Sequence, residues 1–129
     1  MVRIKSECCQ LCYPEYETGW DGIVQKTIDC IDEYLLSKNK VILKQLESEG
    51  TDFAFLQIKE KFGGLKIHVS YYDNYINGVI AMAEKMSHVT CEVTGTSGKL
   101  HIKGFCLKTL NESYAKKNGF SVYDSNSNI

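Results

Sequence analysis

The run "FAFLQIKEKFGGLKIHVSYY" at positions 53–72 limits what this chain can fold into more than any other stretch. Successive side chains of a strand point to opposite faces, so a strict alternation marks a strand with one side buried. Leu65, Ile67, Val69 and Tyr71 fall on one side, and Lys66, His68, Ser70 and Tyr72 on the other. "FAFLQIKE", bounded by Gly50-Thr51-Asp52 and by Gly63-Gly64, reads as a second, more buried strand. The double glycine can adopt the backbone of a tight turn, which predicts a β-hairpin. Phe62 is expected to fold back over the core. The lysines and glutamates beside the glycines are read as a solvated tip guarding the sheet edge. A phosphate loop is disfavoured, because the required residue order and the following helix are missing.

A hairpin alone is not a stable domain and needs helices to cover its apolar face. Val24, Ile28, Ile31 and Leu35 recur at spacings of four, three and four, which predicts an amphipathic helix begun by Thr18 or Asp21. "KVILKQLESEG" suggests a second helix ended by Gly50. Ile76, Val79, Ile80, Ala83 and Met86 predict a third, capped by Asp73 or Asn74. Gly78 inside that helix costs about 1 kcal/mol against alanine, so a tight packing contact is expected there. Two short strands flank Lys103-Gly104. A Thr109-x-x-Glu112 capping box then predicts a last short helix stopped by Gly119. The class is α+β: a small antiparallel sheet packed against helices. The expected organisation is a Cys-rich, aromatic segment over 1–18, a single domain over 19–120 and a frayed tail over 121–129.

With 129 residues, 43% hydrophobic and 24% charged, the chain suits one soluble domain. A net charge of −1 argues against nucleic acid or a membrane surface as partner. The start "MVRIKSECCQLC" lacks the apolar centre of a secretion signal, so a cytoplasmic location is expected. Disulfides are uncommon there, which leaves six cysteines to read as reduced thiols, metal ligands or redox groups. Cys30 falls within a helical apolar pattern and is taken as a small core residue. Cys9-x-x-Cys12 has ligand spacing, and Cys91 and Cys106 could complete a tetrahedral set. Reduced, unliganded cysteines remain the plainer reading, and no metal or other cofactor is expected.

"TGW" ahead of a helix, then "QIKEKFGGLKIHVSYY", "AEKMSHVTCEVTG" and "GFCLKTLNESYA", resembles a family of small, largely uncharacterised bacterial and phage proteins. Their pattern is a Gly-Trp start, a Lys-Glu-Lys-Phe-Gly segment leading into an aromatic strand, and a helix. It closes in a zinc-ribbon-like tail of Cys-x-x-Cys-Gly and Thr-Leu-Cys-x-x-His. The resemblance covers about positions 19–115. It implies a fold and a setting among accessory proteins of mobile or conflict-related regions, not an activity. Carried over by position, Cys91 matches the first ligand, while Thr94, Asn111 and Tyr114 stand at the other three. The ribbon is therefore expected to be degenerate, with Thr94 and Tyr114 hydrogen-bonding or packing where a metal would sit.

His68, His88 and His101 have no nucleophile motif around them, so no catalytic residue is assigned and the protein is read as a non-enzyme. Asp29, Asp32 and Glu33, with Tyr16 and Trp20 near them in sequence, are the candidate partner-binding patch: aromatic anchors with an acidic rim. The expected role is binding and inhibiting another protein, most concretely as an immunity protein neutralising a cognate toxin. The alternatives are a phage or plasmid inhibitor of a host defence enzyme, and a nucleic-acid module descended from a zinc ribbon.

Overall fold

The alternation at 65–69 and the apolar run before it produce the predicted hairpin, β2 (Phe53–Lys61) and β3 (Gly64–Val69), paired antiparallel. The computed structural model describes residues 2–4, 9–38 and 40–124. The register shifts between Phe55 and Gln57, where Leu56 is left facing solvent as a bulge. A short strand, β1 (Cys9–Leu11), runs parallel to β2 on its other side, so part of the expected N-terminal segment belongs to the sheet.

Helix α1 (Asp21–Glu33) follows a single 3₁₀ turn at Thr18–Trp20 and continues as a π-helical stretch over Tyr34–Lys38. Helices α2 (Lys40–Ser48) and α3 (Asn74–Ser87) are where the periodicity places them. Asp73 caps α3, its carboxylate accepting the Ile76 N–H. Ile23, Val24, Ile28 and Ile31 of α1, with Leu35 of the π-helical stretch, meet Phe53, Phe55, Ile58, Leu65, Ile67 and Val69 of the sheet and Ile76 and Ile80 of α3 in the main core. The Phe53 and Phe55 rings meet edge to face at 5.3 Å.

The outer edge of β3 is closed by side chains. Its outward N–H groups at Leu65, Ile67 and Val69 donate to the Ser87 hydroxyl, the Glu84 carboxylate and the Tyr72 hydroxyl. An edge satisfied in this way offers no template for another strand.

The C-terminal third builds a second, smaller unit. A tight turn over 91–96 leads into the hairpin β4 (Lys99–Lys103) and β5 (Cys106–Leu110), then α4 (Glu112–Lys117). Ser121–Val122, expected within a fraying tail, instead pair with Ile102 and His101 as β6; residues 125–129 lie outside the described ones. The fold is α+β, with the strands divided between two three-stranded sheets, β1-β2-β3 and β5-β4-β6. The cap of α4 is Asn111, which accepts the Ser113 N–H, and not the Thr109 capping box. Thr109 lies in β5 and its hydroxyl is used elsewhere. Among the described residues no helix is long and apolar enough to cross a membrane.

Glycines join the two units. The Gly63 carbonyl accepts the Thr109 hydroxyl at 2.6 Å, and both glycines of the β2–β3 turn are buried. A Cβ on Gly63 would lie 2.5 Å from the Leu100 side chain, and one on Gly64 2.7 Å from the His88 ring. The turn is thus pressed against the second sheet instead of standing as a solvated tip. Phe62, at φ 53°, is turned outward and exposed, so it does not cover the core. Gly19 makes the closest approach. Its N–H donates to the Glu92 carbonyl at 2.8 Å, and a Cβ there would lie 2.4 Å from the Cys91 carbonyl oxygen. Beside it Trp20 is fully buried and its indole N–H donates to the Thr90 carbonyl at 2.9 Å.

At Gly19 the obstacle is backbone, which cannot rotate away. Gly19→Ala should therefore destabilise the fold by about 1–3 kcal/mol in urea denaturation. Thr109→Val, which strands the buried Gly63 carbonyl, should cost about 1–3 kcal/mol as well. A Gly19→Ala protein as stable as the wild type would show that the joint yields freely.

Candidate functional site

The two halves of the expected acidic patch separate in the structure. Trp20 and Asp32 are buried, at 0% and 3% exposure, so neither is available to a partner. Asp32 accepts a hydrogen bond from the Cys9 thiol, and Asp29 accepts one from Gln25. The Tyr16 hydroxyl donates to Asp21 at 2.9 Å; burial, then that carboxylate, push its pKa well above the usual phenol range. Of the five residues only Glu33 is fully on the surface. The sequence reading failed here because a helix wheel shows which residues share a side, not what a distant strand lays over that side. At Asp32 that cover is β1.

The candidate metal ligands are also apart. Cys9 and Cys12 lie at β1, Cys106 is exposed at the start of β5, and Cys91 is buried in the second unit. Among the described residues no group of three or more His, Cys, Asp or Glu side chains is placed to hold a metal ion. The histidines have three different surroundings: His68 outward on β3, His88 against Gly64, and His101 buried with Nδ1 2.7 Å from the Lys99 carbonyl oxygen.

The four positions carried over from the zinc-ribbon resemblance do meet, around a sulfur. Burial pushes the Cys91 thiol up, but the Thr94 hydroxyl and N–H, with the Asn111 and Val93 N–H groups, outweigh it and hold its pKa below the ordinary 9.0. The Thr94 N–H lies 3.4 Å from the sulfur. Tyr114 packs on the small core of Cys91, Leu110 and Ala115. Hydrogen bonds and packing thus tie the 91–96 turn to α4. Beside it the buried Glu92 carboxylate is 3.1 Å from the Lys108 ammonium and also accepts the Thr109 N–H. Burial nevertheless outweighs that cation and leaves the Glu92 pKa raised.

A lowered thiol pKa in the folded state adds stability above pH 9 that disappears as pH falls through the lowered value. Between pH 7 and pH 9 the wild type should therefore gain stability relative to Cys91→Ala. Parallel curves for the two proteins in urea titrations would remove the ionised sulfur from the account.

A groove of about 910 Å³ lies between α1 and α3. The helices run antiparallel: Trp20 at the start of α1 meets Thr90 beyond the end of α3, and the Tyr34 ring stacks on Tyr75 at 4.2 Å near the other end. Gly22, Ile23, Lys26, Thr27 and Cys30 form the α1 wall, so Cys30 is a groove residue and not a core one. Tyr75, Gly78, Val79, Met82 and Met86 form the α3 wall. Gly19, Thr90 and Gly95 close one end, which the second unit therefore shapes. The lining contains Lys26 and no acidic residue.

Gly78 makes no tight contact of the expected kind, since a Cβ there would meet nothing within 4 Å, and the same holds for Gly22. The two glycines keep the walls low. Tyr75, Val79, Met82 and Met86 recur at spacings of four, three and four along α3, and Met82 is 61% exposed. Sequence reading places Val79 and Met86 on the core face; Val79 does pack against the main core at the groove's edge, while Met86 is exposed, because α3 is apolar over more of its circumference than one sheet can cover. That excess apolar width was the legible signal of a second buried surface.

The chain matches no family model, no curated protein and no solved structure.

Gly78→Ala should raise stability by about 0.5–1 kcal/mol, since it removes the helix penalty of glycine and meets open space. A destabilised Gly78→Ala protein would mean that this wall is packed in solution.

Proposed function

We propose that this chain acts by binding another protein, and that the α1/α3 groove is the surface it uses. One observation carries the reading: Tyr75, Met82 and Met86 of α3 stand exposed beside a groove that the chain leaves unfilled. Contiguous exposed apolar surface rimmed by polar residues is a mark of interaction sites. Methionines such as Met82 and Met86 adapt their shape to an apolar partner. In its most concrete form the protein is an immunity protein that neutralises a cognate toxin. That form rests on the resemblance to accessory proteins of conflict-related regions. An inhibitor of a host defence enzyme would use the same surface. A nucleic-acid role finds little support in a net charge of −1.

The test pairs the wild type with Gly78→Leu, a side chain that fits the fold and fills the groove. A stoichiometric protein should co-purify from the host with the tagged wild type at moderate salt and be lost from the variant. The purified partner should then lose its own activity when the wild type is added back. A partner held equally by both proteins would move the interface off the groove.

A further inference from the structure

We propose that the second unit carries a binding site for a small organic carboxylate, in the pocket that His101 lines. This pocket has a volume of about 280 Å³ and shares no lining residue with the α1/α3 groove. At about 30 Å³ for a water-sized group, it has room for a ligand of fewer than about ten non-hydrogen atoms. His101 is the observation that points to a ligand. Its ring is buried, at 2% exposure, and still reaches the pocket. The Lys99 carbonyl can only accept, so Nδ1, 2.7 Å from it, carries a proton. The other ring nitrogen, Nε2, has no partner among the described residues. No fully buried side-chain nitrogen or oxygen lacks a partner there, so Nε2 must be open to the pocket. A nearly buried imidazole nitrogen without a hydrogen bond is costly, and a polar ligand atom would satisfy it.

The groups that the fold leaves unengaged select the charge. Asn111 is fully used, its side-chain oxygen accepting the Ser113 N–H and its amide donating to the Ser97 carbonyl. The Glu112 carboxylate at the rim is paired with Lys116 at 3.7 Å. Lys99 lines the pocket, is exposed and forms no ion pair among the described residues. It stands two residues before His101 on β4 and so on the same face of the sheet. An ammonium and an imidazole side by side match one anion. One carboxylate oxygen would meet Lys99 and the other Nε2, which takes a proton from solvent while Nδ1–H keeps the Lys99 carbonyl. Leu110 and Val122 supply an apolar wall for a short hydrocarbon body. Glu112 disfavours phosphate, because an exposed carboxylate repels a dianion about twice as strongly as a monoanion.

Binding that charges His101 weakens as pH rises. The other charges around the ring are few. Lys108 is its register partner on β5 and is held by Glu92 and Glu17, Glu112 comes from α4, and β6 brings none.

The experiment is an NMR titration of the isotope-labelled full chain with butyrate, butanol, butylamine and inorganic phosphate. Butyrate should give saturable shifts at Gly98, Lys99, His101 and Asn111, and bind at least tenfold more tightly than the other three. Lys99→Gln, at an exposed position that leaves the fold intact, should weaken butyrate at least threefold. Wild-type affinity should fall at least threefold between pH 6 and pH 8, and the fall should vanish in His101→Gln. If His101→Gln does not fold, the wild-type pH series and Lys99→Gln still decide. Butanol bound as tightly as butyrate would overturn the anion. Tighter butylamine would make Glu112 the anchoring charge, and tighter phosphate would replace the carboxylate; either overturns the assignment. A wild-type affinity that does not change with pH removes His101 from the site and rejects the inference. So does the absence of saturable shifts at the pocket residues up to tens of millimolar butyrate.

Discussion

The contact of the Gly19 backbone with the 91–92 peptide is the joint on which the rest of the structure depends. A hydrogen bond of 2.8 Å and a gap too narrow for a methyl group bring the entry to α1 directly onto the second unit. The Trp20 indole, bonded to the Thr90 carbonyl, then lies at the boundary and is wholly inside the main core. The Gly63-Gly64 turn makes the matching contact from the first sheet through the Thr109 hydroxyl. Side chains at these positions would hold the two units apart by their own thickness and break both hydrogen bonds. The close approach brings the small cluster of Cys91, Leu110 and Ala115 up against the much larger main core.

That joint also shapes the groove. Because Gly19, Thr90 and Gly95 meet at one end, the space between α1 and α3 is closed there, while the Tyr34–Tyr75 stack stands near the other end. The walls come from two helices that share a core with the sheet and are therefore rigid. Preorganised apolar surface loses little entropy on binding, which accords with the partner-binding role proposed for the groove. The second unit is held without four metal ligands. The Cys91 sulfur accepts the Thr94 N–H, and Tyr114 packs on the small core to which Cys91 belongs.

Much of the fold was legible because it follows from local periodicity. The alternation through Leu65, Ile67 and Val69, the 3.6-residue stripe of Ile28, Ile31 and Leu35, and the stop at Gly119 (φ 79°) all appear where sequence places them. The candidate site was hardly legible. Asp32 and Trp20 looked like surface residues because nothing local says that β1 or the 90–92 segment will cover them. Cys30 looked like core for the same reason reversed: its neighbours in the helix are buried, but its own sector faces the groove. Thr109 fitted a capping box, yet the strand claimed it and Asn111 took the cap.

By itself the sequence determined which segments are helices and strands, that the hairpin turns at Gly63-Gly64, and that α3 is apolar over too wide an arc for a single sheet. These are properties of neighbouring residues, set by side-chain direction and backbone propensity. Only the tertiary structure decided what the glycines are for. Gly19 and Gly63 accommodate backbone and side chains from far along the chain, whereas Gly78 accommodates nothing within the molecule. A glycine reads identically in all three cases, because its role lies in what approaches it, and approach is a relation between segments that no local pattern encodes.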